Sequence, residues 1–129
     1  MTRQSLLGRT YHFMSQKLQN YLRTHRKRAG LSQDEMAFLL GCQSGTKVSR
    51  YERFSRQPSL QNAFAYEVIF QIHMDQLFGG IYQKVEHKTL KRVRLLTQKL
   101  ERAKPDQKTV RKLSVLKAIA SGSAIEPVN

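Results

Sequence analysis

The chain has 129 residues, 40% of them hydrophobic and 25% charged, which suits one ordinary domain with a helical appendage and excludes a multidomain protein. Twenty-three Lys and Arg against nine Asp and Glu leave a net charge of +14, a self-repulsion that a polyanionic partner would relieve. One cysteine excludes a disulfide framework and a Cys-based zinc site. No apolar run approaches the roughly 18–20 residues of a membrane span and no signal-peptide core opens the chain, so a soluble, cytoplasmic protein is expected.

The cations are unevenly placed. Residues 1–33 carry seven basic side chains and no acid; residues 34–80 carry four basic and five acidic; residues 81–129 carry twelve basic and four acidic. Apolar and aromatic residues concentrate in the balanced middle, so a compact core between two cationic segments is expected. Cations that merely solvate a helix face normally come mixed with acids.

No stretch alternates with period two between turn signals, so an all-α chain is expected. Residues 1–13 lack periodicity, and Arg3 and Arg9 there fit either a mobile basic arm or an extension set by start-site choice. Leu18, Tyr21, Leu22, His25 and Ala29 recur at helical spacing up to Gly30. Ser32 to Glu35 reads as a capping box that opens a second helix with Met36, Ala37 and Leu40 inward, ended by Gly41. A third short helix runs from Ser44-Gly45 to about Arg53 and buries Val48 and Tyr51. After a loop at Phe54–Pro58, a fourth helix presents Leu60, Ala63, Phe64, Ile69 and Phe70 inward, and a short fifth covers Met74 to Phe78. Gly79-Gly80 reads as a break and domain boundary. A basic helix follows over about 81–103 with a stripe of Val85, Val93, Leu96 and Leu100, Thr89 completing the spacing. Pro105-Asp106 interrupts it, and a last helix over about 107–120 aligns Val110, Leu113, Leu116 and Ala120. The two amphipathic helices read as a helical hairpin, and the tail from Gly122 is expected to be loose.

Two short helices joined by a tight turn, the second with polar and basic residues outward, follow the helix-turn-helix plan. The stretches Gly30-Leu31-Ser32-Gln33-Asp34-Glu35-Met36-Ala37, Leu40-Gly41, Val48-Ser49-Arg50-Tyr51-Glu52-Arg53 and Pro58-Ser59-Leu60 resemble the Cro/C1-type (Xre-family) helix-turn-helix over roughly residues 18–78. The resemblance implies a five-helix DNA-binding domain over residues 15–80, between an N-terminal segment at 1–14 and a C-terminal basic helical hairpin at 81–129. It also implies that Gln33 meets a phosphate at its helix N-terminus. Thr46, Lys47 and Arg50 would enter the major groove, Lys47 and Arg50 toward guanine and Thr46 toward a thymine methyl or a phosphate. Gln43, Ser44 and Ser49 are further candidates for the groove, and Arg53 and Arg56 for the backbone. Glu52 resembles the family's acid that pairs with an arginine of the first helix, here Arg26, and so holds the third helix without touching DNA.

This chain departs from the family pattern in places. Seven residues separate Gly41 from Ser49 where six are usual, so the turn or the start of the third helix is one residue longer. His25 replaces a core leucine and Glu67 a small apolar residue, so both are expected to be partly buried and hydrogen-bonded. Cys42 stands at an apolar turn position. No metal spacing links the histidines, and no nucleophile elbow, oxyanion motif or glycine-rich phosphate loop occurs, so neither enzyme activity nor a cofactor is expected.

These features imply a sequence-specific regulator of double-stranded DNA, a repressor on a palindromic operator acting as a homodimer in the cytoplasm at the nucleoid. The apolar stripes of the C-terminal hairpin would either form the dimer surface or pack on the domain. Two other readings stay open: an antitoxin whose C-terminal helices bind a protein toxin, and a nucleic-acid-binding protein without sequence readout.

Overall fold

Helix starts and stops follow the local side-chain chemistry closely. The computed structural model describes residues 17–122, which contain seven helices and no strand. They are α1 (Leu22–Arg28), α2 (Gln33–Leu40), α3 (Gly45–Glu52), α4 (Leu60–Phe70), α5 (Met74–Leu77), α6 (Gly79–Glu101) and α7 (Gln107–Ser121). The N-terminal segment with Arg3 and Arg9, and the tail beyond Gly122, lie outside the described residues. The chain forms two compact units that part between Gln83 and Lys84, inside α6. No described helix is long and apolar enough to cross a membrane.

The capping box at α2 is complete. Glu35 N–H donates to Ser32 Oγ at 3.0 Å and Ser32 N–H donates to Glu35 Oε1 at 2.8 Å, which satisfies two amides that a helix start leaves unpaired. Gly41 ends α2 in the left-handed conformation. Ser59 caps α4 by accepting from Asn62 N–H at 3.1 Å. Asp106 caps α7 by accepting from Thr109 N–H at 2.8 Å, a bond that lowers the pKa of its carboxyl.

The first unit is built on a core to which each of α1–α5 contributes: Leu22, Met36 with Ala37, Val48 with Tyr51, Tyr66, and Leu77. The expectation for α4 needs correction. Leu60 and Phe64 point outward, at 65% and 48% exposure, and Tyr66 is the fully buried residue. Apolar side chains lie all round this helix, so hydrophobicity alone could not choose its inner face. Tyr66 does so by packing edge-on to Tyr51, with ring centroids 6.4 Å apart, and tilted against Phe70 at 5.8 Å. Burial raises the pKa of the Tyr66 phenol. Its hydroxyl has no hydrogen-bond partner among the described residues.

The start of α1 also differs from expectation. Leu18 is half exposed and outside any helix. The buried Asn20 side chain accepts from Leu22 N–H at 3.1 Å, which starts the helix at Leu22. Residues before it turn their backbone to the other end of the unit: Tyr21 N–H donates to Leu77 O and Gly80 N–H to Leu18 O, each at 2.8 Å. Gly79-Gly80 is therefore not a flexible link: it opens α6, just past the end of α5, and the two units part three residues further on, after Gln83. Both glycines are buried in the first turn of α6, and a Cβ on Gly80 would stand 2.5 Å from the Leu18 carbonyl oxygen. The glycine is there for close backbone approach.

His25 is half-buried, as expected, but its ring packs against Phe70 at 5.7 Å and makes no hydrogen bond among the described residues. Burial, then the Arg28 charge, lowers its pKa. Glu67 is half-buried too, with Oε2 lying 3.8 Å from His73 Nδ1.

In the second unit the apolar stripes are rotated from those expected. Val93 is buried with Leu90, Thr97 and Leu100 half-buried beside it in helical register, while Leu96 is exposed; Val85 is exposed as well. On α7, Thr109 and Leu116 are buried and Leu113 half-buried, whereas Val110 and Ala120 are exposed. Threonines at 97 and 109 occupy inward positions that an apolar count passes over.

Two substitutions test this packing by urea unfolding. Gly80→Ala is expected to destabilise by about 2 kcal/mol or more, since backbone cannot yield as a side chain can. Tyr66→Phe is expected to leave stability unchanged or raise it by about 1 kcal/mol, because it removes a buried hydroxyl without a partner.

Candidate nucleic-acid interface

Eight residues form α3, too few to hold a helix in water unaided. Tertiary contacts must therefore fix it, and they do so at both ends. At its start, Gly45 N–H donates to Asp34 Oδ1 of α2 at 2.8 Å, and Ser44 Oγ accepts a longer bond from Thr46 N–H. A Cβ on Gly45 would stand 2.8 Å from that carboxylate oxygen and 3.1 Å from the Gln33 carbonyl carbon, so α2 and α3 approach closely at this glycine and a side chain there would have to displace the Asp34 carboxylate. The connection occupies Gly41–Ser44 and α3 opens at Gly45.

At its end, Glu52 meets Arg26 of α1. Arg26 Nε donates to Glu52 Oε2 at 2.6 Å and Nη2 to Oε1 at 3.1 Å, while Nη1 donates to the Leu31 carbonyl at 2.8 Å. Both residues are buried, at 8% and 7% exposure. The Glu52 hydrogen bond raises the Arg26 pKa against the opposing effect of burial. Gln33 Nε2 also donates to Glu52 Oε1, at 3.2 Å. Between the two ends, Tyr51 is held twice: Asn20 Nδ2 donates to its carbonyl at 3.0 Å and Asn62 Nδ2 to its hydroxyl at 2.8 Å.

The opposite side of α3 faces solvent. Thr46, Arg50 and, past the helix end, Arg53 are exposed; Lys47 and Ser49 are half-buried. Ser44 and Thr46 stand between two recesses. One is lined by Arg26, Ser32, Gln33, Asp34, Ser44, Gly45, Thr46 and Ser49. The other includes Gln43, Ser44, Thr46, Lys47 and Arg50, together with Ser59, Gln61 and Asn62 at the start of α4. Residues 18–65 match the family model of a helix-turn-helix domain. This segment is a helix-turn-helix domain. Its pattern is consistent with the Cro/C1 type, and the chain carries a DNA-binding module followed by further helices. No curated protein and no solved structure shows a significant match to the chain.

Within this domain the candidate residues do not behave alike. Gln43, Ser44, Thr46, Lys47 and Arg50 share the second recess. Gln33 lies in the first, beside the Asp34 carboxylate, with one of its two amide hydrogens engaged by Glu52. Ser49 accepts from Arg53 Nε at 3.2 Å. Arg56 is exposed in the turn after α3, where its amide and the amide and hydroxyl of Ser55 donate back to the Arg50 carbonyl. Sequence reasoning missed Asp34 as the anchor of α3, Asn20 and Asn62 as the supports of Tyr51, and Ser59 and Gln61 as lining of the second recess. The Ser59 cap was the available signal for the last two, since a helix start beside a basic helix presents free amides.

The two sides of α3 should respond differently in urea unfolding. Glu52→Ala strands a buried guanidinium and is expected to cost about 3–5 kcal/mol. Arg50→Ala touches an exposed side chain and is expected to stay within about 0.5 kcal/mol of the parent.

Proposed function

We propose that the protein is a sequence-specific transcriptional regulator that binds double-stranded DNA with α3 in the major groove, a repressor that occupies a palindromic operator as a homodimer. The observation that carries this reading is the division of α3: Val48, Tyr51 and Glu52 are committed to the core, and Thr46 and Arg50 are left to solvent beside a recess with two cations and no acid. Lys47 and Arg50 suit guanine O6 and N7, and Thr46 a thymine methyl.

The second recess is where a phosphate would settle. Lys47 and Arg50 supply charge, and the first amides of α4, beside Ser59, Gln61 and Asn62, supply donors aligned with the helix dipole. In the first recess an anion would meet Asp34, and one of the two Gln33 amide hydrogens is engaged by Glu52, so Gln33 positions Glu52 and keeps one donor for a phosphate. Arg53 and Arg56 follow α3 toward the flanking backbone. Between Lys84 and Gly122 the chain carries twelve Lys and Arg against three acids, which adds attraction to phosphate irrespective of sequence.

One module of this kind reads about 4–5 base pairs, too few to define a site in a genome, and a symmetric pair on inverted half-sites is the physical remedy. Occupying such a site over a promoter excludes polymerase, which makes repression the simplest outcome.

Selection of bound sites from random duplexes is expected to return a palindrome. On that site, Arg50→Ala should relax discrimination at one base pair per half-site by about 1–3 kcal/mol, and Arg56→Ala should weaken all sequences alike with a shallower salt dependence. Equal losses on selected and random duplexes for both variants would refute direct readout by α3.

A further inference from the structure

The outer face of α4 presents Leu60, Phe64 and Val68 to solvent, at 65%, 48% and 74% exposure. Their spacing of four residues sets them in one stripe along the helix. The core needs none of them, since Tyr66 on the other side of α4 fills it. Large apolar side chains aligned on an exposed face mark an interaction surface.

The charge pattern says what covers it. From Gln57 to Gln83 the chain holds no Lys or Arg, although it carries twenty-three elsewhere. Past the first turn of α4, whose start borders the recess beside α3, a nucleic acid would gain nothing on such a face. Two copies of a +14 chain, by contrast, repel wherever cations meet and can close only where cations are absent. The polar neighbours of the stripe on α4, Gln61, Glu67 and Gln71, include one charge, and Glu67 already lies near His73. A second apolar group, the exposed Phe38 and Leu39 with the half-buried Leu31, lacks cations too, but Asp34 and Glu35 line the same groove, so a two-fold contact there would set carboxylates against carboxylates.

We propose that the protein pairs with a second copy of itself through the outer face of α4, with Phe64 at the two-fold axis and Leu60 and Val68 of each copy packing across it. Phe64 is the middle residue of the stripe, and in an isologous contact the middle residue meets its own counterpart. The proposal rests on the operator reading above for the need to pair, and it names a surface other than the C-terminal helices. The start of α4 lines the recess beside α3, so this pairing brings the two DNA-facing surfaces into one assembly.

The test is sedimentation equilibrium on the full chain, with circular dichroism melts to verify folding and binding measured to one selected half-site. The parent is expected to be a dimer. Phe64→Glu and Phe64→Lys should each weaken self-association at least about tenfold, the loss carried by one central interface residue, and an equimolar mixture of the two should restore it. Val68→Glu, at a more exposed position, should weaken it likewise should either Phe64 variant fail to fold. Half-site binding should persist in these variants, and Val110→Glu on α7 should leave the dimer intact.

A parent that stays monomeric with and without duplex would overturn the proposal. So would a dimer lost through Val110→Glu and indifferent to Phe64 and Val68, or a stoichiometric complex with a different protein on this stripe in place of self-association. Pairing that follows the stripe without selection of any palindrome would sink the operator reading and leave this surface standing. A monomer that selects a single asymmetric site would do the reverse to this proposal while keeping sequence readout.

Discussion

The first unit depends on one buried carboxylate. Glu52, in the last turn of α3, accepts from Arg26 of α1 and from Gln33 of α2, so three helices converge on two oxygen atoms. Taking such a pair out of water is expensive, and the gain appears only when all partners are in place. That makes the contact a poor source of net stability and a strict one of geometry: an α3 rotated away from its position leaves a charge stranded inside. With Asp34 receiving the first amide of α3, a helix too short to persist alone is gripped at both ends.

The same arrangement sorts charge by side. Carboxylates near the exposed side of α3 are drawn into structural bonds: Glu35 into the cap of α2, Asp34 onto Gly45, Glu52 onto Arg26. Cations of α3 and its following turn, Arg50, Arg53 and Arg56, are exposed. A polyanion approaching α3 therefore meets donors first, and the acids it might have opposed are occupied, though Asp34 still marks one recess as the less favourable of the two.

Much of this was legible from residue order. Caps, left-handed glycines and the inward pair Val48 and Tyr51 are local signals, each written within a few neighbouring residues, and the helices they define appear at their places. The inner face of α4 was not legible, because Leu60, Phe64 and Val68 are as apolar as the residues that turn inward, and only contact with Tyr51 and Phe70 decides the matter. The role of Gly80 was hidden for a related reason: a glycine needed for flexibility and one needed for backbone contact are the same letter, and the Leu18 carbonyl that distinguishes them is distant in sequence. Asn20 and Asn62 were overlooked because an asparagine bonding a remote tyrosine has no sequence signature. The stripes of α6 and α7 were misjudged because a threonine's letter does not tell which way it faces: Thr97 and Thr109 turn inward, whereas Thr89, set in the α6 stripe by spacing, is exposed.

The split personality of α3 has an evolutionary corollary. Thr46 and Arg50 contribute no side chain to the core, while Gly45, Val48, Tyr51 and Glu52 carry the whole attachment. In the operator reading proposed above, target preference would therefore drift by exchange at two or three letters with the scaffold undisturbed, much as a key is recut on the same blank. Duplicated copies of such a gene could diverge toward new sites in few steps, and a laboratory library randomised at those positions should yield retargeted proteins that still fold.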